Sequence, residues 1–547
     1  MTHQHPVQAG PISAVFGEGD LRHIRIGSAE VIERIYFAVR DCNWGTVPGR
    51  IENAEIRSSA DGFSISFDCI HQDGEVDFIW HGAIRGESKG YLSFHVRGQA
   101  RSPFRSNRVS ICVHHPLREC AGHPCRIEKT NGGVEDSRFP DLISPHQPFL
   151  GIRAMNYEFA PGWQARIAFH GPEFETEDQR NWSDNNFKTY SPPLRLPFPV
   201  EVKAGESFEQ RIELSVTGDF SRIPSAGSRE SSVRQLDGAA IPLPRLGLSL
   251  PPGQVQLPDE VAVRLERLRL SHLRADFISE AAATGACAIA SRLKVPLEAA
   301  VTLPGPVSGL RRFQPQVCRW LVQAPDGPVT AEASFRAARE ELGADAVVAA
   351  GSSRYFAELN RDRMPGLHPD AACYPVHPQV HATDNESVMA NVRTQRDVVR
   401  TARSFLGQTP LLVSPVMLGP RSLPDPRQSS PFCAAWTVGS LKYLAEAGVA
   451  AITYFETHGP HGVQDEREAY PVFRVFELLG EFAGVQVIPT LTDGDSQVET
   501  LLLAAGDRRR LLIANLTSSE VSVVVNPCGG RTVELLPYAL EFIDWSQ

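Results

Sequence analysis

From Ile24 to Val216 the chain alternates apolar and polar positions with a period of two. "GFSISFDCI", "YLSFHVRG", "RVSICVHH", "WQARIAFHG" and "FEQRIELSV" carry the pattern. Turn residues such as "TNGG" separate the runs. Many short strands at close spacing predict an antiparallel β domain, sandwich-like in character. The stretch from Ser221 to Leu246 is rich in Ser, Gly and Pro and reads as a linker. After Pro251 the rhythm changes. Apolar runs such as "RLSHLRADF", "PLEAAVTL", "CRWLVQA", "DAVVAAGS", "ACYPVHPQV", "PLLVSPVML" and "VAAITYFET" are separated by amphipathic segments such as "TAEASFRAAREELGA". Seven strands are clear and an eighth is uncertain. Repeated β-then-α units predict a parallel sheet, and about eight of them predict a (β/α)8 barrel. An open doubly wound sheet is the lesser option, because no GxGxxG follows the first strand. From Val487 onward the runs are strands again, "VETLLLAA", "RRLLIANL" and "VSVVVNP" among them. The expected architecture is therefore multidomain: an N-terminal antiparallel β domain over 1–222, a linker over 223–248, a TIM-like (β/α)8 barrel over 249–487 and a small C-terminal β module over 488–547.

The length of 547 residues agrees with several cores rather than one. Hydrophobic residues make up 42% and charged residues 22%, an ordinary globular balance. The net charge of −10, with both signs mixed, gives no basic stripe for nucleic acid. No apolar run approaches the roughly 20 residues that cross a bilayer. The first residues lack a basic start followed by an apolar stretch, so no signal peptide is expected. The ten Cys never form CxxC and read as free thiols of a cytoplasmic protein.

A barrel carries its chemistry at the C-terminal ends of its strands. One strand ends on "SHLRADF", where alternation puts His272, Arg274 and Asp276 on one face. "AVVAAGSSRYFAELNR" supplies Arg354, Tyr355, Glu358, Asn360 and Arg361. "YPVHPQVHATDNE" places His377, Gln379 and His381 on a shared face, with Asp384 beyond. "SPVMLGPR" ends in Arg421, and "AAITYFETHGPHG" brings Tyr454 and Glu456 to the mouth. Two glutamates at two strand ends, Glu358 and Glu456, suit acid/base chemistry on a sugar. The blander reading pairs each with a neighbouring Arg. No GxSxG elbow and no HExxH site occur, which argues against a serine hydrolase or a metalloprotease. Cys112, His114, His115, Cys120, His123 and Cys125 are ligand types that suit zinc, but their spacing does not, so neither metal nor cofactor is expected.

The string "EDQRNWSDNNFKTY", Glu177 to Tyr190, holds three acids, two bases, three aromatics and no aliphatic residue. Together with "FPDLISPHQPF", "YFAELNR" and "ITYFET" it resembles the bacterial D-apionate lactonase family, over essentially the whole chain. The resemblance implies hydrolysis of D-apionolactone to D-apionate in the cytoplasm. It also makes the string, Arg180 and Trp182 included, either an interdomain clamp, part of a sugar-acid pocket or a polar structural corner. Lactone hydrolysis needs a water, a base and donors for the oxyanion. Glu358 and Glu456 would be the acid and the base, in either order. His272, Arg274, Asn360, His377, His381, Arg421, Tyr454, Arg180 and Trp182 would bind the sugar. The expected partner is a small sugar lactone, with no nucleic acid and no membrane. A retaining glycoside hydrolase using the same glutamates is the alternative, and a noncatalytic carbohydrate-binding protein is the third reading.

Overall fold

The computed structural model describes residues 4–59, 61–224, 231–324, 326–482, 484–493 and 497–546. By their contacts these residues fall into two units. One holds 1–179 and 185–227, the other 180–184 and 228–547.

In the first unit seventeen strands between His5 and Thr217 join into one antiparallel system. Period-two burial is the reason. Along Gly62–Asp73 buried and less buried positions alternate, so Phe63, Ile65, Phe67 and Cys69 all enter one core. Each such side chain is worth roughly 1.5–3 kcal/mol when taken out of water. The strand Ala29–Asp41 pairs with Phe104–Pro116, setting Arg34 opposite His114. Phe174–Asp178 pairs with Asn186–Tyr190, and here polar side chains answer one another. Tyr190 donates to Glu175 Oε1 at 2.6 Å, and Lys188 Nζ lies 3.6 Å from Glu177 Oε2. In this part of the polar string, polar side chains of the β unit thus pair with one another.

The second unit contains a closed barrel of eight parallel strands. They are β1 (Arg245–Ser249), β2 (His272–Asp276), β3 (Leu297–Val301), β4 (Val317–Val322), β5 (Val348–Gly351), β6 (Ala371–Val376), β7 (Leu411–Val416) and β8 (Ala451–Glu456). Three intervening helices bear on the site: α1 (Phe356–Asp362), α2 (Thr394–Leu406) and α3 (Pro431–Glu446). Small side chains fill much of the interior: Ala300, Leu321, Ala349, Ala371, Cys373, Leu412 and Ala451 pack as one cluster. Gly247 lies opposite His272, and any Cβ there would collide with the imidazole, so β1 and β2 close only around a glycine. Among the described residues no helix is long and apolar enough to cross a membrane.

The order β domain, barrel, terminal β strands is the one the periodicity predicted. The stretch 223–248, expected as a linker, carries short strands among its described residues. That stretch holds Ser232–Gln235, which pairs with Thr490–Asp493 and Val521–Val525, then Ile241–Pro242, which pairs with Gln486–Val487, then β1 itself. These runs of two to five residues are too short to show a period, and their partners lie far along the chain. The uncertain eighth strand is β1. With Ser232–Gln235 and Ile241–Pro242, the terminal strands form a four-stranded and a five-stranded sheet around Val498, Leu502, Leu511, Ile513, Val523 and Val525.

Candidate active site at the barrel mouth

The C-terminal ends of the strands enclose a cavity of about 630 Å³, lined by Arg274, Asp276, Gln323, Tyr355, His377 and Arg421 among others. A charged network rises to it from the barrel interior. Glu298 of β3, fully buried, accepts from Arg319 Nε at 2.6 Å, from Thr453 Oγ1 at 2.8 Å and from the Ser414 hydroxyl. Burial opposes its charge, but Arg319, Arg274 and the Ser414 hydroxyl hold it below the usual carboxylate range. Ser414 Oγ in turn accepts from Arg274 Nη1 at 2.9 Å, and Arg274 Nη2 reaches Asp276 Oδ1 at 3.1 Å. Asp276 Oδ2 accepts from Arg421 Nη1 at 2.7 Å. Asp276 is nearly enclosed, which disfavours its charge, yet the two guanidinium groups prevail and hold its pKa at about 2.

Glu456 ends β8 and is 6% exposed. Its carboxyl accepts no hydrogen bond from the described residues; its surroundings act on it through burial, Arg421 and Asp276. Burial raises its pKa, Asp276 raises it further, and Arg421 opposes them. A backbone irregularity sets its direction. Phe455 has φ +28°, and two residues of β8 span one of β1, with Leu248 opposite Tyr454 and Ser249 opposite Glu456. Positive φ at a bulky residue is strained by roughly 1–3 kcal/mol. The bulge puts Tyr454 and Phe455 toward the helical layer, where Phe455 meets Trp436 of α3 and Tyr454 hydrogen-bonds Ser440 at 2.9 Å. Strict alternation would turn Glu456 to the same layer as Tyr454; the extra residue brings its carboxyl within the field of Asp276 and Arg421 instead.

The other expected site residues are sorted by this geometry. Arg274, His377 and Arg421 line the cavity. His272 lies below it in the barrel, 2.8 Å from Thr453 Oγ1, and burial depresses its pKa to about 3. His377 is also kept neutral by burial, at about 4, with its ring 5.5 Å from that of Tyr355. Tyr454 is turned away from the cavity. Glu358 was expected at a strand end, but β5 stops at Gly351, and Glu358 stands in the first turn of α1. There its Oε2 accepts from Tyr355 N–H at 3.0 Å, so it closes the helix start. Burial raises its pKa, and that hydrogen bond and Arg361 oppose the rise. Asn360 donates to Asn181 Oδ1 at 3.0 Å, His381 is bonded to Asp184 Oδ2 at 2.6 Å, and Arg180 reaches Asp397 of α2 at 3.4 Å. Trp182 packs its edge on Tyr355 with ring centroids 5.2 Å apart. These last residues stand behind the cavity wall rather than on it.

Glu298 and Arg319 escaped the sequence reading. A charge inside each of the apolar runs "LEAAV" and "VCRWLV" was the available signal, since a buried parallel strand tolerates charge only when it is paired. The Cys and His residues between Cys112 and Cys125 do not assemble. His115 is bonded to Thr189, and Cys120 lies beside Tyr157. Among the described residues no three His, Cys, Asp or Glu side chains come together as metal ligands.

Three domain families match this chain: "D-apionate lactonase, N-terminal domain" over residues 1–219, "D-apionate lactonase, TIM barrel domain" over 320–425 and 422–484, and "D-apionate lactonase, C-terminal immunoglobulin-like domain" over 495–543. A D-apionate lactonase of Brucella anthropi is 26% identical, over 98% of this chain and 96% of its own. Among solved structures, a GH30 endoxylanase from Clostridium papyrosolvens C71 is similar at 12% identity and a TM-score of 0.40, covering 58% of this chain and 100% of that one. A beta-arabinopyranosidase is similar at 8% identity and a TM-score of 0.33, covering 99% of this chain and 98% of that one.

Proposed function

This chain belongs to the D-apionate lactonase family, and on that premise we propose that it hydrolyses a sugar lactone, D-apionolactone to D-apionate, with Glu456 as general base. The observation that carries the reading is the Glu456 carboxyl. It is nearly buried, it has no hydrogen-bond partner among the described residues, and burial, opposed by Arg421 and aided by Asp276, raises its pKa above the usual carboxylate range. A structural carboxylate in such a place would be paired.

In the proposed reaction Glu456 takes a proton from water as the water oxygen bonds to the lactone carbonyl carbon. The tetrahedral oxyanion forms beside Arg421 and Arg274, whose positive charges favour it. The bond from that carbon to the ring oxygen then breaks. The protonated Glu456 returns its proton to the departing ring oxygen, and the new carboxylic acid releases its remaining water-derived proton to solvent, leaving a sugar carboxylate. Asp276, ionised far below neutral pH, serves to hold Arg421 and Arg274 rather than to exchange protons. Neutral His377 and Tyr355 offer hydrogen-bonding edges to ring hydroxyls. Glu358 is proposed to organise the start of α1, which carries Tyr355 at its entry.

The test is product analysis. The purified protein is offered D-apionolactone, other sugar lactones and aryl glycosides, with spontaneous lactone opening subtracted. Lactone opening above background is expected. Cleavage of an aryl glycoside with the lactones untouched would overturn the reading and favour a glycosidase using the same mouth.

A further inference from the structure

The turn Arg180–Asp184 takes no part in the reaction above, yet every one of its residues meets the barrel unit. Its neighbours in sequence, Gln179 and Asn185, belong to the β unit, while these five residues belong by contact to the barrel. Four of them are held by hydrogen bonds: Arg180 to Asp397, Asn181 to Asn360, the Ser183 carbonyl to the Thr394 hydroxyl at 2.9 Å, and Asp184 to His381. Those bonds account for how the turn is fixed. They do not account for the large aromatic residue at its centre, which is less buried than the residues on either side.

Trp182 sits against the back of the cavity wall. Its ring meets Tyr355 edge-on at 5.2 Å and 70°, and His381 at 6.0 Å and 88°. The Arg361 guanidinium lies 5.3 Å over its face. Tyr355 also meets His377, with ring centroids 5.5 Å apart, and both Tyr355 and His377 line the cavity. The order Trp182, Tyr355, His377 therefore ties the loop after β5 to the loop after β6. Without the indole, Tyr355 has one ring neighbour fewer and freedom to turn about its side-chain bonds.

We propose that Trp182 is a positioning residue that braces Tyr355 against His377 and thereby sets the aromatic wall that discriminates among sugar lactones. The proposal rests on the lactonase reading and gives the polar turn a specific purpose: it delivers an aromatic brace to the substrate site. Loss of the brace weakens ground-state and transition-state binding alike, which appears in KM more than in kcat.

The experiment compares wild type, Trp182→Ala, Trp182→Leu and Trp182→Phe in KM and kcat on a panel of sugar lactones, in calorimetric titration with the matching sugar acids, and in Tm. Removing an aromatic pair of ordinary strength predicts a KM increase of about three- to ten-fold in the Ala and Leu variants, with kcat within about two-fold. The spread of kcat/KM across the panel should narrow. Phe should restore most of both, because it keeps a ring edge. Leu retains apolar bulk, so it decides the matter should the Ala variant fail to fold. Unchanged KM and unchanged acid affinity in the Leu variant, or a Phe variant no better than Leu, would overturn the proposal. If the wild type opens no lactone, the functional reading fails by itself. The sugar-acid titrations then still decide whether Trp182 shapes the site.

Discussion

Arg421 Nη1 donates a 2.7 Å hydrogen bond to Asp276 Oδ2, joining the loop after β7 to the end of β2. Arg274 holds the other carboxylate oxygen, so Asp276 keeps its charge in a nearly enclosed place. Glu456 feels both members of this pair, and its carboxyl has no hydrogen bond among the described residues. Two carboxyl groups near one mouth are thereby pushed in opposite directions, one down by two guanidinium groups, the other up by burial. Separated pKa values of this kind are how a site divides structural from proton-transferring acids.

Glu456→Gln keeps the volume of the side chain and removes the base. Turnover of D-apionolactone should fall by about 10²–10⁴. No protein hydrogen bond to the carboxyl is lost, so Tm should stay within a degree or two. Rates near wild type would assign the base to another residue.

Asp276→Asn tests the electrostatics. As a base Glu456 works when ionised, so activity falls on the acid side as pH drops through its pKa. Asp276 raises that pKa, and removing its charge lets it fall. The acid limb of the kcat/KM profile should therefore move to lower pH in the variant. The maximal rate should also drop, because Arg421 and Arg274 lose the group that holds them. A limb that stays put or moves upward would mean that Glu456 does not set it.

Glu358 makes the opposite prediction from Glu456. Its job at the start of α1 is to accept the Tyr355 N–H, and a glutamine at the same position can do likewise. Glu358→Gln should keep Tm and stay within about three-fold of wild-type activity. Glu358→Ala should cost about 1 kcal/mol, as loss of a cap does, and raise KM through Tyr355. A loss of about 10² in the Gln variant would restore this residue to acid chemistry.

The sequence showed the strand ends but not which side chains point inward. "AITYFET" placed Glu456 at the mouth, while the bulge at Phe455 that aims it has no local signature, since nothing in Tyr-Phe-Glu announces a positive φ. "YFAELNR" was misplaced by one element, because the helix begins at Phe356 without a Ser, Thr, Asp or Asn before it. The spacing from Tyr355 to Glu358, an N-cap and its third helical residue, was the readable clue. β1 was hidden among prolines and glycines because a five-residue strand is defined by its neighbours. Glu298 was legible as a charge in an apolar run, but its partners come from β4, β7 and β8, brought together only by closure of the barrel. The polar residues and the single tryptophan of Arg180–Asp184 were legible as unusual, and their partners on α1 and α2 were not, for the same reason.

His272 supplies a test of the barrel interior that is independent of catalysis. Burial lowers its pKa from 6.5 to about 3, so the folded barrel holds a neutral imidazole where the unfolded chain holds a charged one. Below pH 6.5 the unfolded state binds the extra proton, and stability is lost as pH falls from there toward 3, at about 1.4 kcal/mol per pH unit for one such group. His272→Gln removes the titration while leaving a side chain able to bond Thr453 Oγ1. The variant should be less stable than wild type at pH 7.5, because packing around Gly247 is imperfect. Its Tm should also fall less steeply between pH 6.5 and 4. His115 and His377, also kept neutral by burial, titrate in both proteins and cancel in the comparison. The measurement is Tm against pH for the two proteins side by side. Parallel curves would show that His272 takes up its proton inside the folded barrel, most simply from stabilisation by Glu298, 3.9 Å away.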